Sequence, residues 1–201
     1  MDTALKESDL DADPLTQLEL WVSEACAAGL IEPTAMTLAT VGADAKPSAR
    51  VVLFKGLADG KLTFYTNYES RKGAELASNH HAALVFWWDK LERQIRAEGR
   101  VEKLPREFSE RYFYSRPRIS QLSAYTSRQS RAVVTRTELE ERFAHNEKRF
   151  AGQAVPLPEN WGGYALTPEY FEFWQGRSGR LHDRLVYQPS GEGWRIERLE
   201  P

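Results

Sequence analysis

The order of apolar and polar positions divides the chain into a helical start, a β-rich middle, a helical stretch and a β-rich tail. Leu15, Leu18, Val22 and Ala25 recur at helical spacing behind Asp13-Pro14, which reads as an N-cap with proline at the first helical position; Gly29 supplies the stop. Segments 35–41 (AMTLATV) and 49–55 (ARVVLFK) read as strands flanking a Gly-Ala-Asp-Ala turn, and 61–67 (KLTFYTN) follows the Asp59-Gly60 turn. Ser70 opens a short helix ending near Asn79. Residues 80–88 (HHAALVFWW) predict a strand buried on both faces, with 91–103 as its hairpin partner. Helices are predicted at 105–116 and about 138–150, the second from a Thr137…Glu140 capping box. The tail is again β: YFEFWQG, RLHDRLVYQ and WRIERLE, the last two joined through residues 189–193. The pattern predicts a mainly β fold with flanking α-helices, a single domain over 13–201 in which seven to nine antiparallel strands form a barrel. Residues 1–12 are expected to form an acidic, flexible segment.

Composition narrows the function classes. The 201 residues can bury a sizeable core without a disulfide or metal staple. A single cysteine excludes a disulfide framework within the chain and any cysteine-based metal centre, and the four histidines show no metal-ligand spacing. The longest apolar run, 82–88, is far too short to span a bilayer. With 27 Lys+Arg against 29 Asp+Glu, the net charge of −2 argues against a bulk nucleic-acid or membrane binder. The acidic start is unlike a signal or transit peptide, so a cytoplasmic protein is expected. The charge is unevenly placed. Residues 1–19 carry six acids and one base, whereas 111–136 carry six arginines, no acid and several tyrosines, a surface suited to a ringed or phosphorylated anion or simply to solvent.

Four constellations stand out, each open to a plainer reading as solvated or core side chains. Ser70-Arg71-Lys72 places two cations in a helix's first turn, unfavourable against the dipole unless an anion binds there; Tyr65 and Thr66 could add hydroxyl donors. Arg180, His182 and Arg184 share one face if their segment is a strand, and Trp174 could wall a planar ligand nearby. Tyr112 and Arg116 share a helical face, with the helix ending before Pro117 and Ser120 in the following turn, an arrangement suited to a phosphate monoester. Arg50 and Lys55 have opposite parity on their strand, so both can serve one pocket only where a bulge or the strand end re-aims one of them. Nucleotide-binding glycine motifs and a nucleophile elbow are absent. Many anion binders without an evident nucleophile suit an enzyme whose cofactor performs the hard step.

In this order the segments DPLTQLELW, PTAMTLATV, ARVVLFK, FYTNYESRK, LERQIRAEG, YFYSRPRISQ, SRQS, VPLPENWGGY, EFWQG and RLHDR resemble the pyridoxamine 5′-phosphate oxidase family, over nearly the whole chain from Asp13 to Pro201. The resemblance implies an FMN-binding split β-barrel working as a homodimer, with flavin at the subunit interface. It implies FMN-binding roles for Arg50, Val51, Val52, Leu53, Phe54, Lys55, Tyr65, Thr66, Arg71, Lys72, Gln94, Gln129, Ser130, Trp174 and Arg184. Lys55, Tyr112, Arg116 and Ser120 would hold the substrate phosphate, and Arg180 and His182 would orient the pyridine ring and assist proton movement. The implied reaction oxidises pyridoxamine or pyridoxine 5′-phosphate to pyridoxal 5′-phosphate, with oxygen as electron acceptor. Many members have a leader with Arg and Tyr that closes over the substrate; the twelve residues before Asp13 contain neither. The rival readings are a flavin oxidase of phenazine-type metabolism, a non-catalytic flavin-binding protein, and a single-stranded nucleic-acid binder using 111–136.

Overall fold

In the computed structural model, which describes residues 4–201, nine strands form one antiparallel sheet. The strands are β1 (Ala35–Val41), β2 (Pro47–Leu53), β3 (Leu57–Ala58), β4 (Lys61–Asn67), β5 (His81–Trp88), β6 (Arg93–Lys103), β7 (Trp161–Gln175), β8 (Asp183–Ser190) and β9 (Gly193–Leu199). Their order is β2-β1-β5-β6-β7-β4-β3, with β8 on the second half of β7 and β9 on β8. The ladder curls without closing, so the expected barrel is an open one. Period-two alternation gives the sheet one apolar face: Met36 and Leu38 of β1 stand opposite Phe86 and Leu84 of β5, and all four are buried. Strand β7 is the spine. It pairs along its length with β6, and on its other side first with β4 and then with β8. The β6–β7 ladder bulges at Glu98/Gly99, where a Cβ on Gly99 would lie 2.0 Å from the Thr167 carbonyl oxygen; only glycine fits there.

Helix α1 (Pro14–Ala27) starts as predicted, with the Asp13 carboxylate accepting from the Leu15 N–H at 3.1 Å. It drops Leu18, Trp21 and Ala25 onto the sheet's core, Trp21 meeting Phe173 edge-on at 5.1 Å. Helices α2 (Arg71–Ser78), α3 (Arg106–Ser115), α4 (Arg118–Thr126) and α5 (Arg136–Arg149) complete the fold. A second apolar cluster of Phe113, Leu122, Phe150, Val155 and Trp161 anchors the helical stretch to the start of β7.

Several expectations are corrected. Strand β5 is buried on one face only: Leu84, Phe86 and Trp88 point inward, while Trp87 is 54% exposed. Helix α5 is capped by Thr135, whose hydroxyl accepts from the Glu138 N–H, so the capping residue lies two positions before Thr137. Ser120 sits in the first turn of α4 rather than in an open turn, because Pro117 restarts a helix as readily as it ends one. Of the segment expected to be flexible, residues 1–3 lie outside the described residues, and residues 5–11 dock on β8 and β9. Leu5 N–H donates to Asp183, Arg198 pairs with Glu7, and the Tyr187 hydroxyl donates to the Asp11 carbonyl. No helix among the described residues is long and apolar enough to cross a membrane.

Candidate active site

Strand β2 ends at Leu53, two residues earlier than predicted, and the chain turns through Phe54–Gly56 with Gly56 at φ +87°. This turn re-aims Lys55 into a cleft that Arg50 does not line; Arg50 bonds instead to Thr40, Ser48 and Glu75. Phe54 swings into the core edge-on to Phe86, and Lys55 reaches a cleft of about 300 Å³ that Val51, Val52 and Leu53 also line. Across that cleft stand Tyr65 and Thr66 from β4, Tyr112 and Arg116 from the end of α3, Lys72 from α2, and Gln129 and Trp161. The rings of Tyr65, Tyr112 and Trp161 stack nearly parallel, Tyr65 and Tyr112 at 4.1 Å. Burial, ahead of the neighbouring Tyr112, raises the Tyr65 pKa.

Two cations in this cleft lack the partners that buried cations normally require. The Arg116 guanidinium lies over Trp161 at 4.9 Å, and its buried Nη1 finds no hydrogen-bond partner among the described residues. Burial pushes its pKa down. Lys72, 9% exposed in the first turn of α2, donates to the Thr66 hydroxyl at 3.2 Å and the Gln129 side-chain oxygen at 3.1 Å, both neutral acceptors. Burial first, then the charge of Arg50, lowers its pKa. Both are the environments of cations awaiting an anion.

The Ser70 N-cap is as expected, its hydroxyl accepting from the Gly73 N–H. Behind it lies a group the sequence reading missed. Glu75, buried on α2, accepts from Thr40 at 2.6 Å, Ser48 at 2.7 Å, Arg71 at 2.8 Å and Arg50 at 2.9 Å. Burial alone would raise its pKa, but these donors together bring it down to about 2. The Arg71–Glu75 spacing of four on a helix was the available signal.

A second group gathers at the far end of β7. Gln94, Trp174 and Arg184 are lateral neighbours on β6, β7 and β8, and the His182 ring lies 4.7 Å from Trp174. Arg184 makes a two-pronged contact with buried Glu172, at 2.9 and 3.0 Å, and Arg96 joins the same carboxylate at 3.1 Å. Burial would raise the Glu172 pKa, yet the Arg184 bonds and charge hold it below the ordinary value. The predicted strand face of Arg180, His182 and Arg184 does not exist: β8 begins at Asp183, and Arg180 ends a 3₁₀ turn at φ +62°. His182 reaches Trp174 from the loop instead. Arg180 is exposed, and Ser130 lies in the exposed turn beside Gln129 at φ +70°. Tyr65 pairs with Gly163 near the start of β7, so Trp174 lies about 35 Å of extended strand away from the first group.

Comparison with known proteins matches this arrangement to one family. Residues 22–148 match the profile described as pyridoxamine 5′-phosphate oxidase, and 161–201 the pyridoxine 5′-phosphate oxidase C-terminal dimerisation region. A pyridoxine/pyridoxamine 5′-phosphate oxidase of Leptospira biflexa is 52% identical over 199 residues, covering 99% of this chain and 94% of that one. The Cupriavidus pinatubonensis counterpart is 53% identical over 199 residues, covering 98% and 93%. The crystal structure of PhzG from Burkholderia lata, in complex with tetrahydrophenazine-1-carboxylic acid, superposes with a TM-score of 0.93 at 32% identity, covering 100% and 99%. A pyridoxamine 5′-phosphate oxidase-related, FMN-binding protein from Nostoc punctiforme shares the fold, with a TM-score of 0.73 at 15% identity, covering 90% and 95%. With both its strand-rich body and its dimerisation region matched, the chain belongs to the pyridoxamine 5′-phosphate oxidase family.

Proposed function

We propose that the protein oxidises pyridoxamine or pyridoxine 5′-phosphate to pyridoxal 5′-phosphate, with FMN as cofactor and oxygen as final electron acceptor, releasing hydrogen peroxide and, from the amine, ammonia. The observation that carries the substrate class is Arg116: a half-buried guanidinium whose buried Nη1 is unpartnered, beside Lys55 and Tyr112, suits a phosphate monoester. Ser120 in the first turn of α4 adds a hydroxyl at a helix N-terminus.

FMN fits the residues present. A phosphate monoester brings a charge of about −1.5 to −2. With the ionised Glu75 the total approaches −3, which Arg50, Arg71 and Lys72 balance. Glu75 fixes the two arginines, and the Ser70-capped start of α2 adds backbone donors. When bound, FMN supplies the two-electron acceptor that oxygen re-oxidises. The chain's own contribution is positioning. Lys55, Arg116 and Tyr112 hold the substrate's phosphate away from the reacting carbon, and Trp174 and Gln94 offer a flat wall and an amide to the ring system. Arg184, its charge matched by Glu172, acts as a directed donor rather than a free cation.

The two groups lie at opposite ends of β7, and the homodimer brings the far end of one subunit to the cleft of the other, placing flavin at the interface. Exposed Val51 and Trp87 beside the two groups support this placement. A reducing, cytoplasmic setting suits the exposed, unpaired Cys26. The test is an absorbance spectrum of the purified protein followed by anaerobic addition of pyridoxamine 5′-phosphate. Flavin absorbance that bleaches with the phosphorylated substrate, and not with equimolar pyridoxamine, is expected. A protein that takes up no FMN, or flavin that stays oxidised, refutes the proposal.

A further inference from the structure

A cavity of about 450 Å³ lies between the C-terminal turn of α2, which gives Leu76 and Ala77, and the end of β6, which gives Arg100, Val101, Glu102 and Lys103. It shares no lining residue with the cleft. The fold opens it because β5 begins at His81, opposite Arg100, so β6 runs on past its neighbour. The last bond on that side is from the Val101 N–H to the His80 carbonyl, at 2.6 Å. On the other side the Leu104 N–H donates to the Gly163 carbonyl at 2.9 Å, which makes Lys103 and Tyr164 a non-hydrogen-bonded pair of the β6–β7 ladder. The Lys103 backbone N–H therefore points away from β7, to the side where no strand pairs with it. Tyr164 forms the floor of the cavity. It is 4% exposed and stacked on Phe64, and its hydroxyl makes no hydrogen bond with a described residue. Burial, then the neighbouring Tyr68, pushes its pKa up to about 12, so the phenol is a neutral donor at pH 7.

We propose that this cavity is a second small-molecule site, which takes a monoanion on an apolar ring, an aromatic carboxylate. Leu76, Ala77 and Val101 supply the apolar wall for the ring. The Tyr164 hydroxyl and the Lys103 N–H are neutral donors for the carboxylate, and Arg100 and the Lys103 ammonium are cations at the rim. Neither cation makes a salt bridge with a described residue: Glu102 pairs with Lys61, and the Lys103 ammonium rests 4.3 Å from the centre of the Tyr68 ring. Glu102 sets the charge of the ligand. Arg100 and Lys103 against Glu102 leave the lining at +1 with His80 neutral, which matches one carboxylate; a phosphate monoester brings about −1.5 to −2. The cleft is built for the other case, with Lys55, Lys72 and Arg116 in its lining and no acid. The two openings are thus complementary to different anions, and the second stands whether or not the cleft performs the proposed oxidation.

The probe is 1-naphthoate, titrated calorimetrically into the protein as purified. A Kd below about 1 mM is expected for a ligand of this size. Tyr164→Phe removes one hydroxyl and keeps the ring on Phe64, and should weaken binding by about tenfold or more. Lys103→Gln, at an exposed position, should weaken it about threefold. Arg116→Met alters the cleft alone and should bind 1-naphthoate as wild type does. In that variant 1-naphthyl phosphate should bind less tightly than 1-naphthoate. No binding up to about 10 mM, or equal affinity in wild type and Tyr164→Phe, overturns the proposal. Loss of binding in Arg116→Met places the probe in the cleft and overturns it as well. Should Tyr164→Phe fail to fold, unchanged affinity in Lys103→Gln has the same force. Tighter binding of 1-naphthyl phosphate than of 1-naphthoate, lost in Tyr164→Phe, overturns the choice of a monoanion.

Discussion

Arg116 should show opposite effects on stability and on function when it is replaced by methionine. Its guanidinium is half-buried, over Trp161 at 4.9 Å, with Nη1 unpartnered. Methionine keeps the apolar stem and removes the charge. Relief of an unsatisfied buried donor is worth about 1–3 kcal/mol. Loss of the cation–π contact costs about 0.5–2 kcal/mol. The balance leaves the ligand-free variant within about 1 kcal/mol of wild type and tilted towards greater stability, a Tm change of about 2–4 °C at most. Function should move the other way. Two charge-assisted bonds to a phosphate at about 1.5 kcal/mol each give roughly a hundredfold loss in kcat/KM, carried mainly by KM because the phosphate is remote from the reacting carbon. Thermal unfolding of the FMN-free protein and steady-state kinetics with the phosphorylated substrate test both halves. A variant destabilised by more than about 2 kcal/mol with KM unchanged would show that Arg116 is a structural cation, and the phosphate assignment would fall with it.

Much of the fold was legible because the period of apolar positions is a local property. Asp13-Pro14, the β1 and β4 segments and the Ser70 cap appear where side-chain chemistry put them. The errors came where a local signal had two tertiary outcomes. HHAALVFWW is apolar enough to be buried twice, yet in one chain only alternate residues of β5 find a core. Thr135 and Thr137 are chemically equal caps, and the backbone selects the one at φ −140° and ψ 158°, just outside the first turn. The Arg180–Arg184 parity argument assumed a strand, but Gly179 and Arg180 at positive φ turn the chain until Asp183.

The candidate site divides along the same line. Residue types in the cleft were readable, since cations at a helix start and arginines interleaved with tyrosines suit an anion, with a solvated face as the plainer alternative. What organises them was not readable. Glu75 and Glu172 are ordinary acids in the sequence, and only the fold shows each gripping two arginines. Trp161, which carries the Arg116 guanidinium, belongs to a motif that identified the family without revealing that role.

Two further outcomes follow from the geometry. Glu75 carries a pKa of about 2 against an ordinary 4.5, so its stabilisation is complete above pH 4.5 and lost as pH falls towards 2, up to about 3 kcal/mol. The stability gap between wild type and Glu75→Gln in chemical denaturation should therefore narrow between pH 5 and 3, and a gap independent of pH contradicts the buried ion-pair account. The second outcome concerns the division of the site. If the Arg116 group of one subunit works with the Trp174 group of its partner, Arg116→Met and Trp174→Ala damage different halves of one site. Random pairing of the two variants makes half the dimers mixed, and each mixed dimer has one site with both lesions and one with none. Activity should return to roughly a quarter of wild type after co-refolding, above either variant alone. Were both groups to serve a site within one chain, every site in the mixture would stay damaged, and mixing would give no more than the average of the two parents.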